Sequence, residues 1–111
     1  MRAYEADFST QDAGGIAGLF APDVVRHGLR DGVCANTFGR SAVMSVYSST
    51  FREGTGIYTL LDLKPGSVQF VGPDALLTSR YVISTGASGV VSFLLGPIHG
   101  GWLITRIQAS C

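Results

Sequence analysis

The order of the predicted elements places the chain in the α+β class, with helices first and a meander of strands afterwards. Two helical patterns precede residue 23, a third covers residues 40–51, and strand-like runs separated by turn residues continue to the end. At 111 residues the chain can build one core but not two. We therefore expect a single domain, residues 1–111, with helices packed on one face of an antiparallel sheet.

Each helix is predicted by the spacing of its apolar residues. Tyr4 and Phe8 lie four residues apart and share one face of a short first helix. Asp12 fits the N-cap of a second helix, which Pro22 is expected to end. The third helix carries a stripe formed by Val43, Tyr47 and Phe51.

The strands follow from β-branched and aromatic runs between turn residues. We predict a first strand over residues 24–29, a loop over 30–39, and later strands over 57–63, 67–71, 75–84, 89–95 and 102–109. Both faces of the run over 75–84 are apolar, whereas a sheet with one face in water would show a polar set. A homodimer through the sheet, with a second copy covering that face, is the simplest arrangement.

Composition excludes several classes of partner. Eight basic residues balance eight acidic ones, so neither nucleic acid nor a membrane surface is expected to bind. No apolar stretch approaches the roughly 20 residues that span a bilayer, and charges near the N-terminus are unlike a secretory signal, which predicts a cytoplasmic protein. Cys34 and Cys111 show no disulfide spacing, so reduced thiols are expected, with a bridge left open.

Three groups of residues, taken in order, resemble one known superfamily. They are Tyr4 and Asp12 with Leu19-Phe20-Ala21-Pro22-Asp23, then Gly39-Arg40, and finally Gly101-Trp102-Leu103-Ile104-Thr105. This order and spacing is similar to that of ketosteroid isomerase and the SnoaL-like polyketide cyclases, which share the nuclear transport factor 2 (NTF2) fold. The resemblance implies a cone-shaped domain whose curved sheet and three helices enclose a pocket.

The resemblance also implies roles for particular positions. It places Tyr4 at the tyrosine that stabilises an oxyanion, and Tyr47 at the tyrosine that supports it. The position of the general base falls at or beside Gly28, and that of a protonated aspartate falls near residues 92–93, so neither carboxylate is present. The isomerase reaction itself is therefore in doubt, while a pocket with tyrosine hydroxyls is expected.

Two further residues are candidates for catalysis. His27 precedes the base position and carries an imidazole, the side chain that most often serves as a general base. Side chains alternate along a strand, so it faces away from Gly28 unless a bulge re-aims it. Asp31 supplies the missing carboxylate if its loop folds back, or makes an Asp-Gly turn. The candidate catalytic set is therefore Tyr4, Tyr47, His27 and Asp31.

The candidate ligand-binding side chains are mostly apolar: Phe8, Val25, Val43, Phe51, Arg80 and Trp102. Arg80 lies among apolar neighbours, where a guanidinium needs either a carboxylate such as Asp62 or an anionic ligand. His27 and His99 have no metal-ligand spacing, and no glycine motif fits a dinucleotide, so no metal or organic cofactor is expected.

These features favour a domain that binds a small, mostly apolar molecule in a conical pocket. Proton-transfer chemistry near a carbonyl, of the isomerase, cyclase or dehydratase type, is the reaction that the resemblance implies. The alternative is a non-catalytic dimerisation or interaction module whose cavity is filled by its own side chains. The sequence leaves open whether the protein is an enzyme.

Overall fold

The computed structural model describes residues 13–30, 32–52, 58–61, 68–83 and 88–109. Its elements, in chain order, are α1 (Ala13–Ala17), β1 (Phe20–Arg30), β2 (Val33–Phe38), α2 (Arg40–Arg52), β3 (Tyr58–Leu61), β4 (Val68–Val71), β5 (Asp74–Ile83), β6 (Ser88–Ile98) and β7 (Gly101–Ala109). The α+β class is confirmed. The first predicted helix lies outside the described residues, so the count of three helices stays a prediction.

The strands form one sheet of seven, and its directions differ from the expectation. Six strands follow the order β2-β1-β7-β6-β5-β3, and β4 also pairs with β5. All described pairs are antiparallel except β1 with β7, which run parallel. The predicted purely antiparallel sheet is therefore wrong, because a strand pattern indicates an extended segment but not the direction of a partner far along the chain.

Most of the segment expected to be a loop, residues 30–39, forms the strand β2. It forms an antiparallel hairpin with β1, in which Arg30 pairs with Val33 across a two-residue connection. Gly32 in that connection has a φ of 79°, a conformation that glycine adopts readily. The strand was missed because its small and polar residues show no clear alternation.

Pro22 lies inside β1 and does not end the second helix, which stops at Ala17. The pairing of β1 with β7 shifts register between Phe20 and Val25, an irregularity that suits a residue without an N–H donor. Arg40 holds this segment: its Nε and Nη2 donate to the Phe20 carbonyl oxygen at 3.2 and 2.6 Å. The Gly-Arg start of α2 thus secures the start of β1.

Helix α2 confirms the prediction over residues 40–51, and Val43 and Tyr47 of its apolar stripe are buried. They belong to a core cluster drawn from both helices and three strands: Ile16, Phe20, Val24, Val43, Tyr47, Val91, Phe93, Ile104 and Ile107. Among the described residues, no helix is long and apolar enough to cross a membrane.

The two faces of the sheet have different surroundings. We call the face that packs against α2 the inner face; Val24, Phe93 and Ile107 lie on it. The opposite, outer face carries Leu94, which pairs with the exposed Arg106. Because side chains alternate along each strand, neighbouring residues of β1 are divided between the two faces.

Cys34 on β2 is disulfide-bonded, so the expectation of a reduced thiol is wrong for this residue. The other cysteine of the sequence, Cys111, lies outside the described residues. Spacing along the chain indicates bridges within compact cysteine frameworks, but it does not show which distant residues the fold brings together.

Gly39 provides a test of how α2 begins. Its φ is 89°, its N–H donates to the Val24 carbonyl oxygen at 2.8 Å, and its own carbonyl accepts from Val43 N–H at 3.0 Å. Gly39→Ala should lower the free energy of unfolding by about 1–2 kcal/mol, because an L side chain is strained at this φ. Chemical denaturation measures the loss.

Gly101→Ala is the matched control, because the nearest atom to an added Cβ there is the Ile98 carbonyl oxygen at 3.9 Å, an ordinary contact. Its change should stay within about 0.5 kcal/mol. Equal stability of the two variants would contradict the role assigned to Gly39.

Candidate functional site

A half-buried arginine on β1 lies at the centre of the candidate site. Arg26 alternates with Val24 and therefore points to the inner face, where its Cζ lies 5.7 Å from the centroid of the Tyr47 ring. Its Nη1 donates to the Leu29 carbonyl oxygen at 3.2 Å. In the described part of the chain, one backbone acceptor and one aromatic face thus hold this guanidinium.

The positive charge of Arg26 has no carboxylate partner in the part of the chain that the structure describes. Its Nε is buried and makes no hydrogen bond there. A cation withdrawn from water without a counter-ion costs several kcal/mol, and a donor that is both buried and unpaired adds to that cost. Within the described ranges, the charge of this site is therefore not balanced.

Thr37 adds a second unsatisfied group beside Arg26. The two residues are direct cross-strand partners in the β1–β2 hairpin, so their side chains share a face. Thr37 is 2% exposed, and its Oγ1 is buried with no hydrogen-bond partner among the described residues. A buried donor and a buried hydroxyl, both unpaired, thus belong to adjacent residues of the inner face.

The guanidinium fills the space where the resemblance predicts a general base. A Cβ added at Gly28 would lie 3.0 Å from both Nη1 and Nη2 of Arg26. Arginine stays protonated in proteins, so it cannot remove a proton as a carboxylate there would. Near the position of the protonated aspartate, Phe93 is fully buried in the core. The inner face offers a cation and apolar surface where the isomerase pattern has two carboxylates.

Two of the predicted site residues come together with Arg26. Tyr47 is 3% exposed; its ring centroid lies 5.9 Å from that of Phe20, with the ring planes at 42°. The ring is therefore held between the Phe20 ring and the Arg26 guanidinium, with Val43 buried one turn earlier on α2. The face of the Tyr47 ring therefore contacts the Arg26 cation. The role predicted for the Tyr47 hydroxyl stays a prediction.

Other predicted residues lie away from this group. His27 and Val25 are on the outer face of β1, on either side of Arg26 in the chain. Arg80 is exposed on the outer face of β5, since its neighbour Ser79 is buried. Trp102 is 51% exposed and precedes Ile107, which pairs with Arg26, by five residues, or roughly 16 Å along β7.

Tyr4, Phe8 and Asp31 lie outside the described residues, as does the Asp62 partner considered for Arg80. The side chain of Phe51 is likewise not described. The roles predicted for them stay predictions. No group of three or more metal-ligating residues lies close enough to hold an ion within the described ranges.

Sequence reasoning missed Arg26 and Thr37. The available signal was the alternation on β1, where Val24, Arg26 and Gly28 share a face with the predicted base position. A charged residue in that series lies on the inner face of the sheet. Arg80 drew attention only because its sequence neighbours are apolar. Thr37 carried no signal, because the strand that contains it was predicted to be a loop.

No protein-family model and no curated protein matches the sequence. Solved structures do match its fold. An NTF2-like superfamily protein from Salmonella enterica is 21% identical with a TM-score of 0.77, over 98% of this chain and 83% of its own. A candidate calcium/calmodulin-dependent protein kinase type II association domain from Thiobacillus denitrificans is 16% identical with a TM-score of 0.80, over 98% and 89%.

A candidate polyketide cyclase from Sinorhizobium meliloti is 18% identical with a TM-score of 0.66, over 97% of this chain and 90% of its own. Identities this low establish the fold and leave the reaction open. The resemblance drawn from the sequence is confirmed at that level: the chain has the NTF2-like fold that the SnoaL-like polyketide cyclases share.

Proposed function

We propose that the chain binds a small, mostly apolar molecule that presents a carboxylate or an enolate-type oxygen to Arg26. The observation that carries this proposal is the half-buried guanidinium without a carboxylate partner among the described residues, next to the unpaired hydroxyl of Thr37. A ligand oxygen would supply the missing negative charge and accept hydrogen bonds. The partly buried residues Leu77, Tyr81 and Ala109, which pack against the core cluster, would contact its apolar part.

The physical chemistry of arginine supports this class of ligand. A guanidinium is planar and presents several donors, a geometry that matches a carboxylate. Hydrogen bonds to charged groups contribute about 1.5–3 kcal/mol, more than neutral ones. A neutral apolar molecule of the same shape would leave the cation unpaired, so the site should discriminate strongly between an acid and its ester.

Binding is favoured over proton transfer by the same geometry. Arg26 would stabilise developing negative charge on an oxygen, as an oxyanion donor does. An isomerase, cyclase or dehydratase also needs a group that accepts a proton, and among the described residues the inner face beside Gly28 offers none. Such a reaction would depend on Tyr4 or Asp31, so we rank it below binding.

We further propose that a second copy of the chain covers the outer face of the sheet. Leu29, Phe38 and Val90 are large apolar residues of this face and are 53%, 69% and 44% exposed. A C2 dimer would bury them against the same patch of the partner. The Thiobacillus denitrificans association domain, which has this fold, supports assembly through it. A non-catalytic interaction module remains the second candidate function for this reason.

Thr37→Val tests whether the hydroxyl is kept for a ligand. Valine has nearly the same shape and removes a buried, unpaired polar group, so the ligand-free variant should be at least as stable as the natural chain. We expect a gain of up to about 1–3 kcal/mol, measured by chemical denaturation. A loss of more than 1 kcal/mol would mean that the hydroxyl has a structural partner.

Arg26→Met tests the proposed function itself. We expect thermal unfolding of the natural chain to shift upward with members of a panel of steroid, terpenoid and aromatic carboxylic acids, but not with their methyl esters. At a hundred times the dissociation constant, binding adds about 2.7 kcal/mol, or several degrees. Arg26→Met should abolish that shift without lowering the midpoint of the ligand-free protein, because methionine replaces an unpaired cation.

Arg106→Met is the matched control, since Arg106 is exposed and pairs with Leu94 on the outer face. It should keep the response to the acid. If esters and acids shift the midpoint equally, or if Arg26→Met keeps the response, the proposed function is wrong.

A further inference from the structure

Gly28 is a buried glycine inside the strand β1, and its backbone does not require glycine. The described glycines with a positive φ are Gly32, Gly39, Gly72 and Gly100, so Gly28 has a backbone conformation that alanine also adopts. Glycine weakens the interior of a strand, because it has no side chain to pack and loses much conformational freedom on folding. A glycine at this position therefore indicates that the space of the missing side chain is used by another group.

The Arg26 guanidinium is the group that occupies this space. A Cβ added at Gly28 would lie 3.0 Å from Nη1, 3.0 Å from Nη2 and 3.1 Å from Cζ of Arg26. These distances are shorter than the roughly 3.5–4.0 Å at which non-bonded atoms attract each other best. The crowded atoms are the end of a flexible side chain, so a methyl group at residue 28 would displace the guanidinium and leave the strand intact.

The position of the guanidinium over Gly28 decides which of its donors are used. Nη1 donates to the carbonyl oxygen of the next residue, Leu29, at 3.2 Å. The Tyr47 ring lies against the guanidinium, with its centroid 5.7 Å from Cζ. Nε and Nη2 lie together on another edge of the group, and neither donates to a partner among the described residues. One edge of the Arg26 guanidinium thus keeps two N–H groups for a ligand.

Arg40 shows how the same edge of a guanidinium meets a single oxygen. Its Nε and Nη2 both donate to the Phe20 carbonyl oxygen, but at unequal distances of 3.2 and 2.6 Å. The two oxygens of a carboxylate meet the two N–H groups in parallel, which gives two well-directed, charge-assisted bonds. A free Nε–Nη2 edge therefore favours a carboxylate over an enolate-type or phenolate oxygen.

We propose that Gly28 is a positioning residue of the Arg26 site and makes that site specific for carboxylates, an inference that rests on the proposed function. Without a side chain at residue 28, the guanidinium stays on the Leu29 carbonyl oxygen and presents its Nε–Nη2 edge to the ligand. Because Nε is buried, a carboxylate reaches this edge only where the covering side chains give way. The class of ligand narrows from acids and enolate-type oxygens to carboxylic acids.

The first experiment follows Arg26 itself and needs no ligand. In a ¹⁵N NMR spectrum of the arginine-labelled full chain, the bond to Leu29 should slow rotation about Cζ–Nη1, so the two Nη groups of Arg26 should give separate resonances. Gly28→Ala should merge them, because the displaced guanidinium loses that bond, while the midpoint of thermal unfolding stays within about three degrees. Gly96→Ala is the matched control and should leave the Arg26 resonances unchanged. Gly96 is also buried and has no positive φ, but a Cβ there would meet Thr105 Cγ2 at 3.2 Å.

The second experiment compares two probes that share one apolar body. 4-Nitrobenzoate carries a carboxylate and 4-nitrophenolate carries a single anionic oxygen, and both are anions in alkaline buffer. Titration calorimetry should show that the natural chain binds 4-nitrobenzoate about tenfold more tightly, the contribution of one further charged hydrogen bond. Gly28→Ala should remove most of this preference, and Gly96→Ala should keep it.

The outcomes distinguish this inference from the function on which it rests. If Arg26→Met still binds 4-nitrobenzoate as the natural chain does, the proposed function is wrong. If binding depends on Arg26 but the natural chain binds both probes equally, or if Gly28→Ala keeps the preference, only the role of Gly28 is wrong. Merged Nη resonances in the natural chain would overturn that role by themselves, even if Gly28→Ala does not fold. Failure of the natural chain to bind either probe would overturn the assignment to carboxylic acids.

Discussion

The register of β1 between β2 and β7 is the constraint on which the rest of the account depends. Side chains alternate along a strand, so this register sends Arg26 to the inner face and His27 to the outer face. A slip of one residue would exchange them and would place the histidine against Tyr47. The two Arg40 hydrogen bonds to the Phe20 carbonyl oxygen hold the irregular start of β1 and so help to keep this register.

Arg26 places a positive charge on the inner face of this NTF2-like fold, beside the position of the isomerase base. Beside Gly28 the described residues include no base, and the guanidinium occupies the space that such a side chain would need. The proposed function, binding of an anion, follows from this replacement of a base by a cation. Among the described residues, Nε of the half-buried Arg26 cation and Oγ1 of the buried Thr37 hydroxyl stay without a hydrogen-bond partner, a cost that is typical of functional sites.

Much of the fold could be predicted from local patterns. Helix α2 and the strands β3 to β7 fall where periodicity and turn residues indicate them, because each is determined by its own residues. The parallel pairing of β1 with β7, the strand that contains Thr37 and the disulfide of Cys34 depend on contacts between distant segments. The prediction that Pro22 ends the second helix was wrong for a related reason. Proline ends a helix, but a strand can accommodate it where pairing is irregular.

The candidate site was less predictable than the fold. Tyr47 and Val43 were identified from the stripe on α2, and the structure places Tyr47 against Arg26. Arg26 could have been identified from strand alternation, because residues 26 and 28 of β1 lie on the same face and Gly28 marks the predicted base position. His27 was weighed as a base for the pocket, yet its contacts with Cys34 and Asn36 lie on the opposite face. Polar residues were harder to assign than apolar ones, because their roles depend on partners from other strands.

The most direct test of the central claim is the Nε–H resonance of Arg26 in a ¹⁵N NMR spectrum of the full-length protein. We predict a resolved resonance with slow solvent exchange, because Nε is buried, and no hydrogen-bond coupling to any Asp or Glu carboxyl carbon. Addition of an aromatic carboxylate such as 2-naphthoate should shift it, while the methyl ester should not. A coupling to a protein carboxylate in the ligand-free chain would show that the cation is already paired, and would contradict the account.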